Sequence, residues 1–296
     1  MTADPPVATA APPSAPPADA TPRAPVARPA VVRFENVAKV YGEGTVREAT
    51  AIRDVTFVVE DREDKGEIVC MLGPSGCGKS TILRIIAGLA PQFPPTRGKV
   101  EIFGGPILGP GADRGMVFQS YTAFDHRSVL ENISFGLECR GVSRREREAE
   151  ARRWIEKVGL SVARDASKFP HELSGGMQQR VAIARTLILK PRIILMDEPF
   201  GALDPLMRLQ MQDLLIELWR EQQATIFFVT HSIEEAVFLG DRAYLVSPAP
   251  GRILKEVPLP PPDRPAMEMH RDAAFQERVF QLREDVHKLE SKQSHG

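Results

Sequence analysis

The sequence predicts an α/β fold in which a largely parallel sheet is covered by helices on both faces and preceded by an antiparallel β region. Short apolar strands alternate with helices from about residue 67 to residue 240, an order typical of parallel sheets. Two segments near the start, VVRFENVAKVY and AIRDVTFVVE, alternate with period two around a polar loop at Gly42 to Gly44, which favours antiparallel strands. The apolar strand EIVCML then runs into a glycine-rich loop.

The bulk composition bounds the class of protein. With 296 residues, 43% of them hydrophobic, the chain can form one large domain or two small ones. A formal net charge of -1 gives no indication of a nucleic-acid partner. Cys70, Cys77 and Cys139 are too few and too scattered for a disulfide framework or a zinc site. No apolar run reaches the roughly 18 residues needed to cross a bilayer, so another chain must cross any membrane that this protein serves.

The first 30 residues are rich in alanine and proline, so they offer little apolar surface to bury. Residues 1–30 are therefore predicted to be a disordered tail. A transit peptide is the alternative, because the segment holds Arg23 and Arg28, but Asp4, Asp19 and the prolines oppose it.

The remaining elements follow from periodicity. Residues 61–67 form a charged turn, and residues 129–159 have helical periodicity with many charges. Helices are also predicted in TILRIIAGLA, SGGMQQRVAIARTLILK, PLMRLQMQDLLIELWREQQ and SIEEAVFLG. Further strands are predicted in GKVEIFG, DRGMVFQ, RIILMDE and TIFFVTH.

The C-terminal 39 residues, 258–296, are predicted to be a proline-rich linker (258–265) followed by an amphipathic helix. Apolar residues at spacings of four, three, four and three place one stripe on this helix. The stripe either packs onto its own domain, the simpler interpretation, or forms a dimer contact. Its members are Phe275, Val279, Leu282, Val286 and Leu289.

The glycine-rich loop GPSGCGKST satisfies the G-x-x-x-x-G-K-[ST] pattern. Its glycines let successive backbone N–H groups point at phosphate oxygens, and the following helix adds its positive end. Lys79 is expected to reach the β- and γ-phosphates and Ser80 to hold Mg²⁺. A chance glycine-rich turn is disfavoured by the buried strand before the loop and the helix after it. The predicted nucleotide contacts are Gly73, Pro74, Ser75, Gly76, Cys77, Gly78, Lys79, Ser80 and Thr81.

Two adjacent acids close the strand RIILM. Asp197 lies at the carboxyl edge of the predicted sheet, where ligands bind in such folds, and is expected to hold Mg²⁺. Glu198 is the candidate to polarise an attacking water. The apolar lead-in disfavours a merely solvated charge pair.

The segment LSGGMQQR places Ser174, Gly175 and Gly176 at the start of a helix, which makes a second anion-binding helix terminus. An ordinary serine N-cap is the alternative. Two phosphate-binding termini in one chain would be unusual for a single nucleotide.

At GPSGCGKST, LSGGMQQR and RIILMDEP the chain resembles the ATP-binding-cassette (ABC) family, specifically the detached ATPase subunit of a transporter. The resemblance implies a P-loop NTPase fold with a RecA-like core over residues 31–257 and a helical signature subdomain at about 131–180. It also implies that the signature loop (LSGGMQQR, residues 173–180) of one subunit closes on ATP held by its partner, in a head-to-tail dimer of two identical chains.

Four other positions match the family and take their roles from it. Tyr41 matches the aromatic residue that stacks on adenine, and Gln119 the glutamine that senses Mg²⁺ and water and links to the membrane subunit. Asp204 matches the loop that crosses to the partner subunit, and His231 the histidine that contacts the γ-phosphate. By themselves, Tyr41 is more typical of packing and His231 of a polar strand cap.

Connective segments such as GPGADRGMVFQ and THSIEEAVFLGDRAYLVSPAPGRI are similar to the ATPases of nitrate, sulfonate and taurine importers. The resemblance implies a peripheral subunit on the cytoplasmic face of the inner membrane, with transmembrane permease subunits and, indirectly, a periplasmic solute-binding protein as partners. ATP and Mg²⁺ are the implied cofactors, and a small anion the implied solute. Where such relatives have Pro-Trp, this chain has Asp125 and His126, which indicates a different permease, and its loop 90–96 is longer.

The sequence leaves three alternatives to weigh. A chromosome-associated ABC ATPase would carry a long coiled-coil insert between the two loops, whereas about a hundred residues separate them here. An exporter ATPase would have the same chemistry with the opposite direction of transport. A regulatory cassette without turnover is disfavoured by the intact Lys79, Asp197, Glu198 and His231.

Overall fold

The computed structural model describes residues 29–62 and 65–293, with side chains up to residue 289. The predicted disordered tail lies outside the described residues except for Pro29 and Ala30. In chain order the strands are β1 (Val32–Tyr41), β2 (Ala49–Val59), β3 (Ile68–Leu72), β4 (Arg97–Ile102), β5 (Gly105–Pro106), β6 (Arg114–Val117), β7 (Ile193–Asp197), β8 (Thr225–Thr230), β9 (Arg242–Val246) and β10 (Ile253–Pro258). The helices are α1 (Lys79–Ala87), α2 (Val129–Cys139), α3 (Arg144–Lys157), α4 (Val162–Asp165), α5 (Gly175–Leu187), α6 (Pro205–Gln222), α7 (Ile233–Leu239), α8 (Ala266–Met269) and α9 (Ala273–Gln293), with a 3-10 turn at Pro170–Glu172.

The larger sheet has the strand order β10-β9-β3-β8-β7-β6. Its five strands from β9 to β6 pair in parallel, and β10 adds an antiparallel edge. Strands β3, β7 and β8 are buried along their whole length. Such strands need apolar side chains on both faces, because helices cover both faces of a parallel sheet. The predicted α/β fold with a RecA-like parallel core is therefore confirmed.

The smaller sheet is antiparallel, with the order β2-β1-β4-β5, and confirms the predicted N-terminal β region. Its inner face carries Phe34 and Phe57, whose rings stack with centroids 4.6 Å apart. These side chains share one apolar cluster with Ile82 and Ile86 of α1 and with Phe227 of β8. The cluster fixes α1, and with it the preceding glycine-rich loop, between the two sheets.

A helical region from Val129 to Leu187 follows β6. Its first helix begins with a capping box, in which the Ser128 hydroxyl accepts from the Glu131 N–H and the Glu131 carboxylate accepts from the Ser128 N–H. This arrangement satisfies backbone donors that a helix start would otherwise leave free. Trp154 of α3 is buried in the same core cluster as residues of α5, α6 and α7.

The C-terminal segment packs against its own domain. Phe275, Val279 and Leu282 of α9 are buried in the main core cluster, and Val286 and Leu289 lie against it partly buried. The preceding proline-rich stretch is also attached, since Pro262 O accepts from Arg220 Nη2 at 3.0 Å and the Ala266 N–H donates to Asp213 Oδ1 at 2.7 Å. Of the two interpretations of the apolar stripe, the structure shows the intramolecular one. Among the described residues, no helix is long and apolar enough to cross a bilayer.

Candidate nucleotide site

The glycine-rich loop connects β3 to α1 and curls around a lysine. The Lys79 ammonium donates to the carbonyl oxygens of Gly73 and Pro74, at 2.7 and 2.8 Å, and the residue is 4% exposed. These contacts hold the positive charge inside the curl. A loop of this shape, closed by the N-terminus of a helix, is suited to binding phosphate groups.

The loop approaches its surroundings too closely for most side chains. Gly78 has φ +99°, and a Cβ there would lie 2.5 Å from Ile52 Cγ2. Gly73 is similar, because its Cβ would lie 2.6 Å from Val246 O. Cys77, 1% exposed, fits beneath the loop, and its burial raises the pKa of its thiol even though Lys79 is close.

A serine and an aspartate meet behind the loop. Ser80 Oγ donates to Asp197 Oδ1 at 2.7 Å, and Arg84 Nη2 lies 3.8 Å from Asp197 Oδ2. Burial raises the pKa of Asp197, while Ser80 and the Arg84 charge oppose the shift. The two oxygens fit Mg²⁺, which usually takes one or two protein oxygens and completes its shell with phosphate and water.

Two residues far apart in the chain converge on one carboxylate oxygen of a third. Glu198 Oε2 accepts from Gln119 Nε2 at 3.4 Å and lies 3.1 Å from His231 Nδ1. Glu198 follows the last residue of β7 with φ +45°, a conformation that non-glycine residues rarely adopt, and its N–H donates to Val229 O at 3.0 Å. A carboxylate held in this way beside Asp197 can accept a proton from a bound water.

The signature loop and the Asp204 loop each cap a helix. Ser174 Oγ accepts from the Met177 N–H at 3.4 Å at the start of α5, and Asp204 Oδ1 accepts from the Met207 N–H at 3.0 Å at the start of α6. Gly176 packs against Met207, since a Cβ there would lie 3.0 Å from Met207 Cγ. Ser174 and Gly175 remain exposed, so this helix terminus faces outward.

Two further positions complete the comparison with the sequence. Tyr41 ends β1, partly buried, with Lys39 Nζ 5.6 Å from the centroid of its ring. Arg84, which belongs to no recognised motif, joins the site through Asp197. Its position four residues after Ser80 could have indicated this role, because residues four apart lie on one face of α1.

The parallel sheet, the phosphate-type loop and the acids at the strand ends define a nucleotide-hydrolysing P-loop protein. Comparisons with known proteins specify which kind. The family described as ABC transporter matches residues 58–201. An uncharacterized ABC transporter ATP-binding protein of Methanocaldococcus jannaschii is 46% identical over 240 residues, which cover 80% of this chain and 86% of that protein. The chain belongs to the ABC transporter ATP-binding protein family and is an ATPase.

Other relatives carry transport names. The nitrate import ATP-binding protein NrtD of Synechocystis is 47% identical over 207 residues, covering 70% of this chain and 74% of that protein. The taurine import ATP-binding protein TauB of Jannaschia is 44% identical over 236 residues, covering 80% of this chain and 85% of that protein. A solved ATP-binding cassette, described as dimeric in a post-hydrolysis state bound to ADP and Pi, superposes with a TM-score of 0.66 at 34% identity over 77% of this chain and 99% of that one.

Proposed function

We propose that the protein is the energy-coupling subunit of an importer and hydrolyses MgATP to drive uptake of a small anion such as nitrate, a sulfonate or taurine. The observation that carries the catalytic part is the convergence of Gln119 and His231 on Glu198 Oε2, directly after Asp197 in the chain. The names of the nitrate and taurine import relatives support the choice of solute.

The chemistry is phosphoryl transfer to water, achieved mainly by positioning and charge. The backbone N–H groups of the loop at 73–81, apart from Pro74, which has none, and the Lys79 ammonium bind the β- and γ-phosphates, while Tyr41 stacks on adenine. Ser80, Asp197 and Gln119 would hold Mg²⁺, which would neutralise charge on the phosphate oxygens. Glu198 accepts a proton from the attacking water, and His231 contacts the γ-phosphate.

A second copy of the chain completes the site. Ser174 and Gly175 expose a helix N-terminus, and in the part of the chain that the structure describes neither residue hydrogen-bonds to the loop at 73–81. A second subunit, arranged head to tail, presents this terminus and its Asp204 loop to the nucleotide. The similarity to a cassette described as dimeric supports this arrangement.

The permease docks in a cleft between β6 and the helical region. This cavity has a volume of about 780 Å³, and its lining includes Phe118 and Ser120, the two neighbours of Gln119. Arg185 forms part of the wall; it lies over the Phe124 ring at 4.4 Å. A permease helix seated here would act directly on the segment that carries Gln119.

The protein is then a peripheral subunit on the cytoplasmic face of the inner membrane. Its partners are the permease and, indirectly, a periplasmic solute-binding protein that selects the cargo. Nucleic acid is not a partner in this proposal, in line with the formal net charge of -1.

The test combines enzymology with growth. Purified full-length chain is expected to release phosphate from ATP only with Mg²⁺, and Lys79→Ala is expected to abolish this, whereas Lys65→Ala at an exposed position leaves it unchanged. A deletion strain is expected to lose growth on nitrate, taurine or an alkanesulfonate as sole nitrogen or sulfur source, and to regain it only with the wild-type gene. Normal growth of the deletion strain on all three sources would refute the solute assignment but would leave the assignment of ATPase activity standing.

A further inference from the structure

The turn that carries His231 is held by a buried carboxylate that has no part in the proposed mechanism. Glu235 of α7 is 4% exposed, and its Oε2 accepts from the Thr230 hydroxyl at 2.5 Å. The same hydroxyl accepts from the Ser232 N–H at 3.0 Å, and Ser232 Oγ accepts from the Glu235 N–H at 3.2 Å. Both chain neighbours of His231 are therefore attached to Glu235.

The other carboxylate oxygen reaches a different part of the site. Glu235 Oε1 lies 3.5 Å from Arg208 Nε, on the first turn of α6. Arg208 Nη2 donates to Leu203 O at 3.3 Å, and the Arg208 N–H donates to Asp204 O at 2.9 Å. One arginine thus connects the loop before α6 to the carboxylate that holds the His231 turn.

Glu235 is the buried member of this connection, whereas the Arg208 side chain is 32% exposed. Burial raises the pKa of Glu235, while the Thr230 hydrogen bond and the Arg208 charge favour the ionised form. An ionised carboxylate in such a place depends on its partners, because a buried charge without compensation is costly. A displacement of the first turn of α6 is therefore linked energetically to a displacement of the His231 turn.

We propose that Arg208 and Glu235 are positioning residues that couple the Asp204 loop to His231. Contact of that loop with the second subunit fixes the start of α6, and the pair then sets the imidazole against Glu198. The inference depends on the proposed function, since it assigns to Asp204 a contact with a second subunit and to His231 a contact with the γ-phosphate.

The neighbouring residue supplies a matched control. Glu234 also lies on α7 and forms an ion pair with Arg283 Nη2 of α9 at 2.9 Å, but the Glu234 and Arg283 side chains are 39% and 60% exposed. Its Oε2 also accepts from Ser232 Oγ at 3.1 Å, a bond that the amide oxygen of glutamine can keep, so Glu234→Gln removes the charge without detaching the His231 turn. Exposed pairs of this kind contribute little. The same substitution at two consecutive positions therefore separates the buried connection from a general effect on α7.

The experiment measures kcat, KM for ATP and ATP affinity for full-length Glu235→Gln, Arg208→Met, the double variant, Arg208→Lys and Glu234→Gln. The amide oxygen in Glu235→Gln can still accept from the Thr230 hydroxyl, but an NH₂ group, which cannot accept, replaces the oxygen that faces Arg208. We expect kcat to fall by about 10-fold to 100-fold in each of the first two variants, as for a misplaced catalytic group, with KM and ATP affinity within about twofold of wild type. The double variant is expected to be no worse than the poorer single variant, because both break one connection.

The remaining variants make the test decisive. Glu234→Gln is expected to keep wild-type kcat, and Arg208→Lys, which keeps the charge, to recover part of the activity lost in Arg208→Met. Wild-type kcat in Glu235→Gln, additive losses in the double variant, or an equal loss in Glu234→Gln would each overturn the coupling. If Glu235→Gln does not fold, equal activity of Arg208→Lys and Arg208→Met would overturn it. Absence of ATPase activity in the wild-type protein would instead count against the proposed function.

Discussion

Replacing Glu198 with glutamine removes a proton acceptor and leaves its surroundings nearly intact. The carboxylate oxygen that receives Gln119 Nε2 at 3.4 Å and faces His231 Nδ1 at 3.1 Å becomes an amide group of the same shape. The backbone conformation of residue 198 is anchored by its N–H bond to Val229 O. Glutamine can keep that backbone bond and at least one side-chain contact, so the fold and the phosphate loop should be unaffected.

The size of the effect follows from the role. A positioned general base contributes about 10²-fold to 10⁴-fold to a reaction rate, which corresponds to roughly 3–5 kcal/mol of barrier. The Glu198 side chain is only 16% exposed, so bulk water should replace it poorly as an acceptor. We expect kcat to fall towards the upper end of this range, while ATP affinity stays within about threefold of wild type, since the base acts mainly in the transition state.

Phosphate release under saturating MgATP measures kcat, and titration with a fluorescent ATP analogue measures binding. Glu268→Gln, at an exposed position on α8, controls for a change of net charge. Wild-type turnover in Glu198→Gln would refute the assignment of the base. A parallel loss of ATP binding would show that the residue acts in the ground state instead.

Three further outcomes are expected. Lys79→Ala should weaken ATP binding by at least about 10-fold, since it removes the charge held within the loop; unchanged affinity by calorimetric titration would exclude Lys79 from phosphate binding. Phe275 is 3% exposed and Phe280 is 55% exposed, so Phe275→Ala should lower the free energy of unfolding in urea by about 3–5 kcal/mol, and Phe280→Ala should change it by less than about 0.5 kcal/mol. Equal effects would contradict the packing of α9. Burial lowers the pKa of His270, so its contribution to stability is present above the unfolded pKa of about 6.5 and is lost as pH falls below it. Tm of the wild type should therefore drop more than Tm of His270→Gln between about pH 7.5 and about pH 5.5; identical drops would exclude His270 as a source of the pH dependence.

Local motifs were the most predictable part of the site. The glycine-rich loop could be placed because its strand, turn and helix are contiguous, and the structure puts Lys79 within that loop. The Ser80–Asp197 contact joins residues 117 positions apart. Asp197 ends β7 and Ser80 lies in the first turn of the helix that follows β3, so both lie at the carboxyl edge of one parallel sheet, where such residues meet. Physical reasoning from sequence could therefore anticipate this contact.

Other features depend on packing that sequence does not reveal. Gln119 and His231 lie 79 and 33 positions from Glu198 in the chain but contact it in the fold. Only the family resemblance indicates their roles from the sequence. The edge strand β10 was not predicted, because it ends at Pro258, where the proline-rich sequence indicates a linker. An edge strand tolerates proline, since no neighbouring strand on its outer side needs the missing N–H. The contact of Arg208 with the buried Glu235 was also missed, since neither residue belongs to a motif.

Size-exclusion chromatography of Glu198→Gln with and without ATP shows whether two copies of the chain share each nucleotide. We expect a monomer without nucleotide and a dimer with ATP, and a monomer under both conditions when Ser174→Arg is added, although ATP is still bound. Dimerisation that persists with Ser174→Arg would contradict the role of the signature loop. A monomer with ATP bound, both alone and together with the purified permease, would contradict the shared site itself.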